Sequence, residues 1–440
     1  SASIIDSSQY GLEITTNGSL TLDGMYVYSN SVGGALLIAK KGITIRNSIF
    51  NENGFGVYIL PTTKGAVLLS NVWADSNNGD NLSIETSGAI SLENIFARYS
   101  SGQYGIYIDN CQDGGIARCT TASGAVTLRN VTATLNFLTN VFIRANGAVS
   151  ADLIVAEGST EMGLDIRNEK ALSAAAVSLK RINASHNLDT GISVHTRGSI
   201  TLDGFTTTNN YGNVYLGVEG TTASVTIKAS YPYGNQSSYS IGGYPGVFIS
   251  CNGTVNITGT SSSYNSSYGI EVNAGSGSVT ITGGALTVKY TQCKYWFDNE
   301  TIIFNPDEID IGTLQLRDTF SNTGVASGKI LHNFFSDFGF DKLRFKTDND
   351  RMLLLNTTRR DNSQFYGKVF GRATMTLDGP VTDMHMDIDG APSTIDSSHI
   401  YLLTGTNSRE SGIIDYIEFI QYGSKMEDAY IGKKESNLVV

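Results

Sequence analysis

The first two-thirds of the chain repeat one pattern of apolar and polar positions about every 23 residues. Each repeat opens with glycine, after which apolar and polar residues alternate, as in Gly42-Ile-Thr-Ile-Arg-Asn. The first four openings are 24, 23 and 23 residues apart, and later ones are 21 to 36 apart. Openings occur at Gly18, Gly42, Gly65, Gly88, Gly124, Gly198 and Gly253. A repeat of this length with β-type segments predicts a solenoid of stacked coils.

Each repeat contains a second apolar segment, such as Gly56-Val-Tyr-Ile-Leu60, which follows a stretch rich in Asn and Ser. Alternation with period two directs one set of side chains inward and the other outward. Coils about 4.8 Å apart give about eleven coils in a rod of roughly 50 Å. We therefore predict an all-β chain with a parallel β-helix over residues 11–287. We expect loops inserted near 100–123, 158–176 and 229–246, and inward positions at Ile45, Leu92, Leu128 and Ile281.

The composition changes near residue 288. Residues 1–287 contain 14 basic and 19 acidic residues, and residues 288–440 contain 16 and 22, so the charged fraction rises from about 11% to about 25%. We expect two domains, a β-helix over 1–287 and a β-strand segment over 288–440. Both are mildly acidic and neither has a basic block, which argues against a nucleic-acid partner or an anionic membrane.

In the second segment, apolar and polar residues alternate strictly, which predicts long strands joined by short polar turns. The sequence offers no helix that would cover their apolar face, so we expect this face to hold lipid in a groove, to pair with another chain, or to curl shut. The residues that would line the groove are Val369, Ala373, Met375, Leu377, Met384, Met386 and Ile388.

The Gly- and Asn-rich repeats resemble the pectin-lyase-like family of right-handed parallel β-helices, in particular the repeats of large bacterial surface proteins. This resemblance implies an extracytoplasmic location, at the bacterial cell surface or in the periplasm. It implies no single activity, because the same fold carries lyases, hydrolases, adhesins and stalks.

Enzymes of this fold require carboxylates crowded on neighbouring coils, or an acidic Ca²⁺ cluster beside a basic residue. The family signatures Asn-x-Asp, Asp-Asp, Gly-His-Gly and Arg-x-Lys do not form a matching array, and we expect Asp23 and Asp203 to face solvent. Two insertions offer lyase-type candidates, namely Asp109, Asp113 and Arg118 in one, and Asp165, Arg167, Glu169 and Lys170 in the other. Mixed charge is typical of surface loops, so we predict no catalytic residue and no cofactor.

Histidines and cysteines do not suggest a metal site either. His186 and His195 lie nine residues apart, and we expect both to be surface residues. The four cysteines lack metal-type spacing; Cys111 and Cys119 share one insertion and could form a disulfide, but free thiols are the favoured interpretation.

Tyrosines crowd toward the C-terminal coils of the repeat region. Tyrosine rings beside Asn and Ser make an amphipathic surface of low charge that suits sugar rings or another protein. Packing of the tyrosines within the solenoid would also explain their number. We therefore expect carbohydrate or another envelope protein as the partner. The candidate ligand-binding residues are Tyr211, Tyr215, Tyr244, Tyr264 and Tyr268.

The second segment resembles the TamB-like (translocation and assembly module) family of the bacterial envelope. The resemblance is carried by Leu355-Asn-Thr-Thr358, Asp361-Asn362, Phe365-Tyr-Gly367, Val369 and the Gly379-Pro380 turn. It implies an elongated, taco-shaped sheet whose apolar groove holds lipid acyl chains between the two membranes. The chain lacks that family's transmembrane anchor, has no initiator Met and has no apolar run of 18 residues, so we expect a mature segment or a fragment.

Three hypotheses result. The favoured one is a non-enzymatic β-solenoid that acts as a structural scaffold or surface-binding rod of a bacterial envelope. The alternatives are a TamB-like lipid conduit and a polysaccharide lyase or hydrolase. Three charged side chains that converge on one exposed β face would favour the enzyme.

Overall fold

The computed structural model describes residues 2–63, 65–111, 124–168, 174–220, 222–230, 235–288, 291–333, 336–361, 365–403 and 435–439. The chain divides into two compact units, Ser1–Val279 and Thr280–Val440. The described residues form β-strands and one 3-10 turn, Val381–Asp383. The described part of the chain contains no helix that could span a bilayer.

The first unit is built from short strands at regular intervals. In chain order they are β1 (Ala2–Ile5), β2 (Tyr10–Thr16), β3 (Ser19–Asp23), β4 (Met25–Tyr28), β5 (Gly33–Ala39), β6 (Gly42–Asn51), β7 (Val57–Thr63), β8 (Ala66–Trp73), β9 (Leu82–Thr86), β10 (Ile90–Phe96), β11 (Ile106–Asp109), β12 (Val126–Thr134), β13 (Val141–Arg144), β14 (Val149–Glu157), β15 (Leu164–Asn168), β16 (Val177–Asn183), β17 (Thr190–Thr196), β18 (Ile200–Thr208), β19 (Gly212–Val218), β20 (Val225–Lys228), β21 (Asn235–Ser238), β22 (Val247–Cys251), β23 (Val255–Thr258), β24 (Thr260–Ser263) and β25 (Ile270–Asn273).

These strands alternate between two parallel sheets, so the unit is a β-helix. Sheet A contains β1, β3, β4, β6, β8, β10, β12, β14, β16, β18, β20, β21, β23 and β24. Sheet B contains β2, β5, β7, β9, β11, β13, β15, β17, β19, β22 and β25. Its eleven strands correspond to about eleven coils, which confirms the predicted fold class. The three segments predicted as loops are not only loop, because 100–123 contains β11, 158–176 contains β15, and 229–246 contains β21, which pairs with β18 in sheet A.

Aliphatic side chains from equivalent positions fill the interior. Leu92 is in register with Leu69 on one neighbouring coil and with Leu128 on the other. Leu92, Leu128 and Ile45 are fully buried, as predicted. Ile281, which we also expected to point inward, is half-buried.

One corner of sheet A is stabilised by an exposed asparagine ladder. Asn47, Asn71, Asn94 and Asn130 all have φ between 47° and 54°, a left-handed conformation that Asn tolerates better than most residues. Each donates its side-chain amide to the preceding coil, at 2.9, 3.1, 3.0 and 2.7 Å, the first to Asp23.

A second asparagine ladder is buried inside the coils. Asn136 Nδ2 donates to Asn140 Oδ1 at 2.7 Å, and Asn140 Nδ2 donates to Asn187 Oδ1 at 3.1 Å. Because each amide supplies both a donor and an acceptor, the row satisfies its own polar groups and those of the adjoining backbone. Other members are Asn30, Asn53, Asn77, Asn81, Asn210 and Asn213.

The second unit is antiparallel. Its strands are β26 (Val279–Val288), β27 (Cys293–Phe304), β28 (Glu308–Arg317), β29 (Thr323–Asn333), β30 (Ser336–Thr347), β31 (Met352–Thr357), β32 (Phe365–Pro380), β33 (His385–Pro392), β34 (His399–Leu403) and β35 (Glu435–Val439). The order β27-β28-β29-β30-β32-β33 is antiparallel throughout, and β31 and β34 pair with the first half of β32. The core combines Tyr295, Phe297, Leu314, Met352 and Phe370 with smaller neighbours.

The predicted groove residues lie outside this core. Met375 is in register with Ile388, and Leu377 with Met386, so these side chains share one face. Val369, Ala373, Met375 and Leu377 are half-buried, whereas Met384, Met386 and Ile388 are exposed. They form an exposed apolar stripe rather than the interior of the unit.

Candidate functional site

The outward face of sheet B carries two rows of side chains from successive coils. Parallel register places one residue of each row on every coil, about 4.8 Å from the next. The first row is Tyr58, Ser83, Tyr107, Phe142, Asp165, Ser193, Tyr215, Phe248 and Glu271. The second row is Glu85, Asp109, Arg144, Arg167, His195, Gly217, Ser250 and Asn273.

Aromatic rings in these rows stack along the solenoid axis. Tyr107 and Phe142 lie 5.3 Å apart between ring centroids with an interplanar angle of 8°. Tyr215 lies between His195, at 4.7 Å, and Phe248, at 5.2 Å. On the coil after Phe248 the register partner is Glu271, so this second stack ends in a carboxylate.

A pocket of about 430 Å³ opens where the second stack ends. Tyr215 and Phe248 reach it from β19 and β22, and Tyr244 reaches it from the turn before β22. Gly243, with φ of 77°, reverses the chain beside Tyr244. The lining residues are Asp189, Thr190, Gly212, Asn213, Val214, Tyr215, Gly243, Tyr244, Pro245, Phe248, Ser267 and Glu271.

Polar groups of the pocket are positioned by the solenoid. Asn213 belongs to the buried ladder and donates to Asn265 Oδ1 at 3.2 Å, which holds its side chain in place. Asp189 and Glu271 are half-buried, and Thr190 donates to Asp189 Oδ1 at 3.2 Å. The pocket therefore combines aromatic walls with fixed hydrogen-bonding groups.

The structure brings together some of the predicted tyrosines and separates others. Tyr215 and Tyr244 line the pocket, and Tyr211 packs on Tyr244 at 5.5 Å. Tyr264 lies elsewhere, stacked on Tyr239 at a left-handed corner. Tyr268 is exposed beside the lining residue Ser267. Of the lining residues, sequence reasoning named only Tyr215 and Tyr244; aligning outward positions between coils would also have indicated Phe248 and Glu271.

A second group of charged residues lies further along the same face. Glu85, Asp109 and Arg144 are register partners on three successive strands. Arg144 Nε donates to Asp109 Oδ1 at 3.1 Å, and Tyr58 Oη donates to Glu85 Oε1 at 3.0 Å. Burial raises the pKa of Glu85, and the nearby charge of Asp109 raises it further.

Asp80 lies next to this group, at the entry to β9. It accepts a hydrogen bond from the backbone N–H of Tyr104 at 3.0 Å. Burial nevertheless raises the pKa of Asp80 to about 6, and the charge of Glu85 contributes in the same direction. This part of sheet B thus carries two carboxyls with raised pKa values, Asp80 and Glu85.

The other sequence candidates are dispersed. Asp165 is buried and accepts from Arg167 Nε at 2.9 Å, and burial raises the pKa of Asp165. Asp113, Arg118, Glu169 and Lys170 lie outside the described residues. His186 lies at a corner, 3.2 Å from Asn209 Nδ2, whereas His195 lies on sheet B. Among the described side chains, no group of three His, Cys, Asp or Glu could hold a metal ion.

Two sequence expectations need correction. Asp203 is buried and accepts from the backbone N–H of Ser230 at 2.9 Å, because the next coil covers it; Asp23 is exposed as expected. Cys111 is disulfide-bonded, which contradicts the favoured free thiol, while Cys251 and Cys293 are free and buried. Cys119 lies outside the described residues.

Comparison with known proteins supports the fold of the first coils. A family model described as a right handed beta helix region matches residues 1–121. No curated protein and no solved structure matches the chain. The TamB-like resemblance finds no support in these comparisons. Over its first 121 residues the chain is therefore similar to right-handed parallel β-helices.

Proposed function

We propose that this chain is a non-enzymatic, extracytoplasmic β-solenoid of a bacterial envelope, a scaffold that binds saccharide on the outward face of sheet B. The observation that carries the proposal is the pocket lined by Tyr215, Tyr244 and Phe248. Ligand sites are typically concave and mostly apolar, with a few placed polar groups, and this pocket has that composition.

Saccharide suits the pocket because a sugar ring has an apolar face and a rim of hydroxyls. The aromatic walls would contact the ring face, while Thr190 and Ser267 offer groups for the hydroxyls. The scaffold role rests on the coil-to-coil pairing of strands, which holds Tyr215 and Phe248 in place.

Binding should depend on Tyr244. We would titrate a panel of neutral, acidic and basic oligosaccharides and compare the parent chain with Tyr244→Ala. Loss of one aromatic contact, about 1 kcal/mol, should weaken binding about five- to tenfold.

The matched control is Tyr264→Ala, which removes another exposed tyrosine that does not line the pocket. This variant should bind like the parent chain. Absence of binding to every saccharide in the panel, or an equal loss in both variants, would refute the proposal.

Polysaccharide cleavage is the second candidate, because charged residues do converge on one face of sheet B. A carboxyl with a raised pKa, such as Asp80, is suited to donate a proton, and Asp109, paired with Arg144, is a further carboxyl of this group. The non-enzymatic proposal predicts no product from pectate, alginate or neutral glycans. Release of reducing or unsaturated ends that disappears in Asp80→Asn, but not in Asp152→Asn on sheet A, would establish the enzyme instead.

A further inference from the structure

The pocket on sheet B is acidic, and its acidity is not compensated by the protein. Among the lining residues Asp189 and Glu271 carry carboxylates, and none is Lys, Arg or His. Neither carboxylate forms an ion pair with a basic residue in the described part of the chain. A bound ligand would therefore meet negative potential without a competing cation.

Other carboxylates on the outward face of sheet B do form ion pairs with basic residues. Asp109 is paired with Arg144, and Asp165 with Arg167. On those coils the solenoid supplies the opposite charge itself. At the pocket it supplies aromatic rings instead, so the complementary charge has to come from the ligand.

The aromatic rings of the pocket also favour a cationic ligand. The stack His195–Tyr215–Phe248 ends at Glu271, so a ring and a carboxylate meet at the same place. Tyr244 provides a further wall. Ammonium groups are attracted both to ring faces and to carboxylates. A divalent metal fits less well, since Ca²⁺ takes six to eight oxygen ligands and this pocket is largely aromatic.

We infer that the pocket binds the ammonium group of a glycan with free amino sugars, held between Glu271, Asp189 and the rings of Phe248 and Tyr244. The inference rests on the proposed saccharide binding and adds the chemical class of the ligand. An amino sugar fits because it presents a cation next to an apolar ring face, which is the pairing that the pocket offers.

The test compares two tetramers that share one backbone and differ in whether their amino groups are free and charged or acetylated and neutral. A β-1,4-linked glucosamine tetramer and its fully N-acetylated form are titrated at pH 6 and low salt. We expect the charged tetramer to bind at least about tenfold more tightly and to weaken as salt is added. Glu271→Gln should remove most of this preference, whereas Glu219→Gln, at an exposed glutamate outside the pocket, should retain it.

Other outcomes would overturn the inference. Equal binding of the two tetramers removes the cation preference but leaves saccharide binding intact. Tighter binding of tetralysine than of the glucosamine tetramer indicates a basic peptide ligand. Failure of the whole oligosaccharide panel refutes the proposed function itself. A melting curve for each variant, matching that of the parent chain, shows that the variants are folded.

Discussion

The two units of this chain are both all-β, but they bury side chains by different rules. In the solenoid the neighbours of a residue occupy the same position one coil away, as for Leu69, Leu92 and Leu128. In the second unit, contacts follow antiparallel pairing and join unrelated positions. There Tyr295 Oη donates to the carbonyl of Leu353 at 2.8 Å, across 58 residues. In a repeat, the position of a residue in the sequence therefore predicts which residues it contacts. In an irregular sheet it does not.

Buried polar groups show the same difference. The solenoid distributes them along its asparagine ladder, in which each amide is supported by those of neighbouring coils. In the second unit, several backbone groups instead depend on one buried carboxylate. Asp318 accepts backbone hydrogen bonds from Phe320, Asn322 and Leu353, each at 2.8 Å. Removal of one polar side chain should therefore disturb neighbouring coils in the solenoid, whereas in the second unit its effect should stay local.

The largest expected effect is on the solenoid interior. Leu128→Asp would bury an unpaired charge between Leu92 and Ala151, so we expect a loss of more than about 4 kcal/mol or failure to fold. The control is Thr127→Asp, at the exposed neighbouring position, which should change stability little. Thermal melting followed by circular dichroism measures both, and an unchanged melting temperature in Leu128→Asp would refute the register.

The next effect concerns the second unit. Asp318→Ala leaves three backbone N–H groups without their acceptor, and we expect a loss of about 3 kcal/mol. Hydrogen exchange should accelerate around residues 318–322 and 353. Asp341→Ala, at an exposed position of β30, is the control. If both variants exchange alike, Asp318 does not organise this region.

A smaller effect separates the two asparagine ladders. Asn136→Ala deprives Ser100 N–H and Asn81 of their acceptor inside the solenoid, which should cost about 2 kcal/mol. Asn94→Gly keeps the left-handed corner of the exposed ladder and should cost less than about 1 kcal/mol. Chemical denaturation of both variants gives the comparison, and equal losses would mean that burial does not distinguish the ladders.

The smallest effect is a pH dependence at Asp80. Because its pKa in the folded chain is about 6, above the ordinary value of about 3.9, the folded state holds the proton more tightly. This carboxyl therefore stabilises the fold most at low pH, and its contribution declines as pH rises from about 4 to 6. Asp80→Asn should flatten that decline and be about 1 kcal/mol more stable than the parent chain at pH 7, measured by denaturation. A steeper decline in the variant would contradict the assignment.

The sequence alone was sufficient to predict the β-helix, its number of coils and most inward positions. The reason is that a repeat of twenty-odd residues places the same local geometry on every coil. It also selected Tyr215 and Tyr244 as candidate ligand-binding residues, without deciding between surface binding and packing. It could not assign Tyr215 to a stack with His195 and Phe248, since the intervening segments differ in length and only coil-to-coil register aligns them. The burial of Asp203 by the segment that follows β20, and the antiparallel pairing that leaves Met386 and Ile388 exposed, were likewise decided by tertiary contacts.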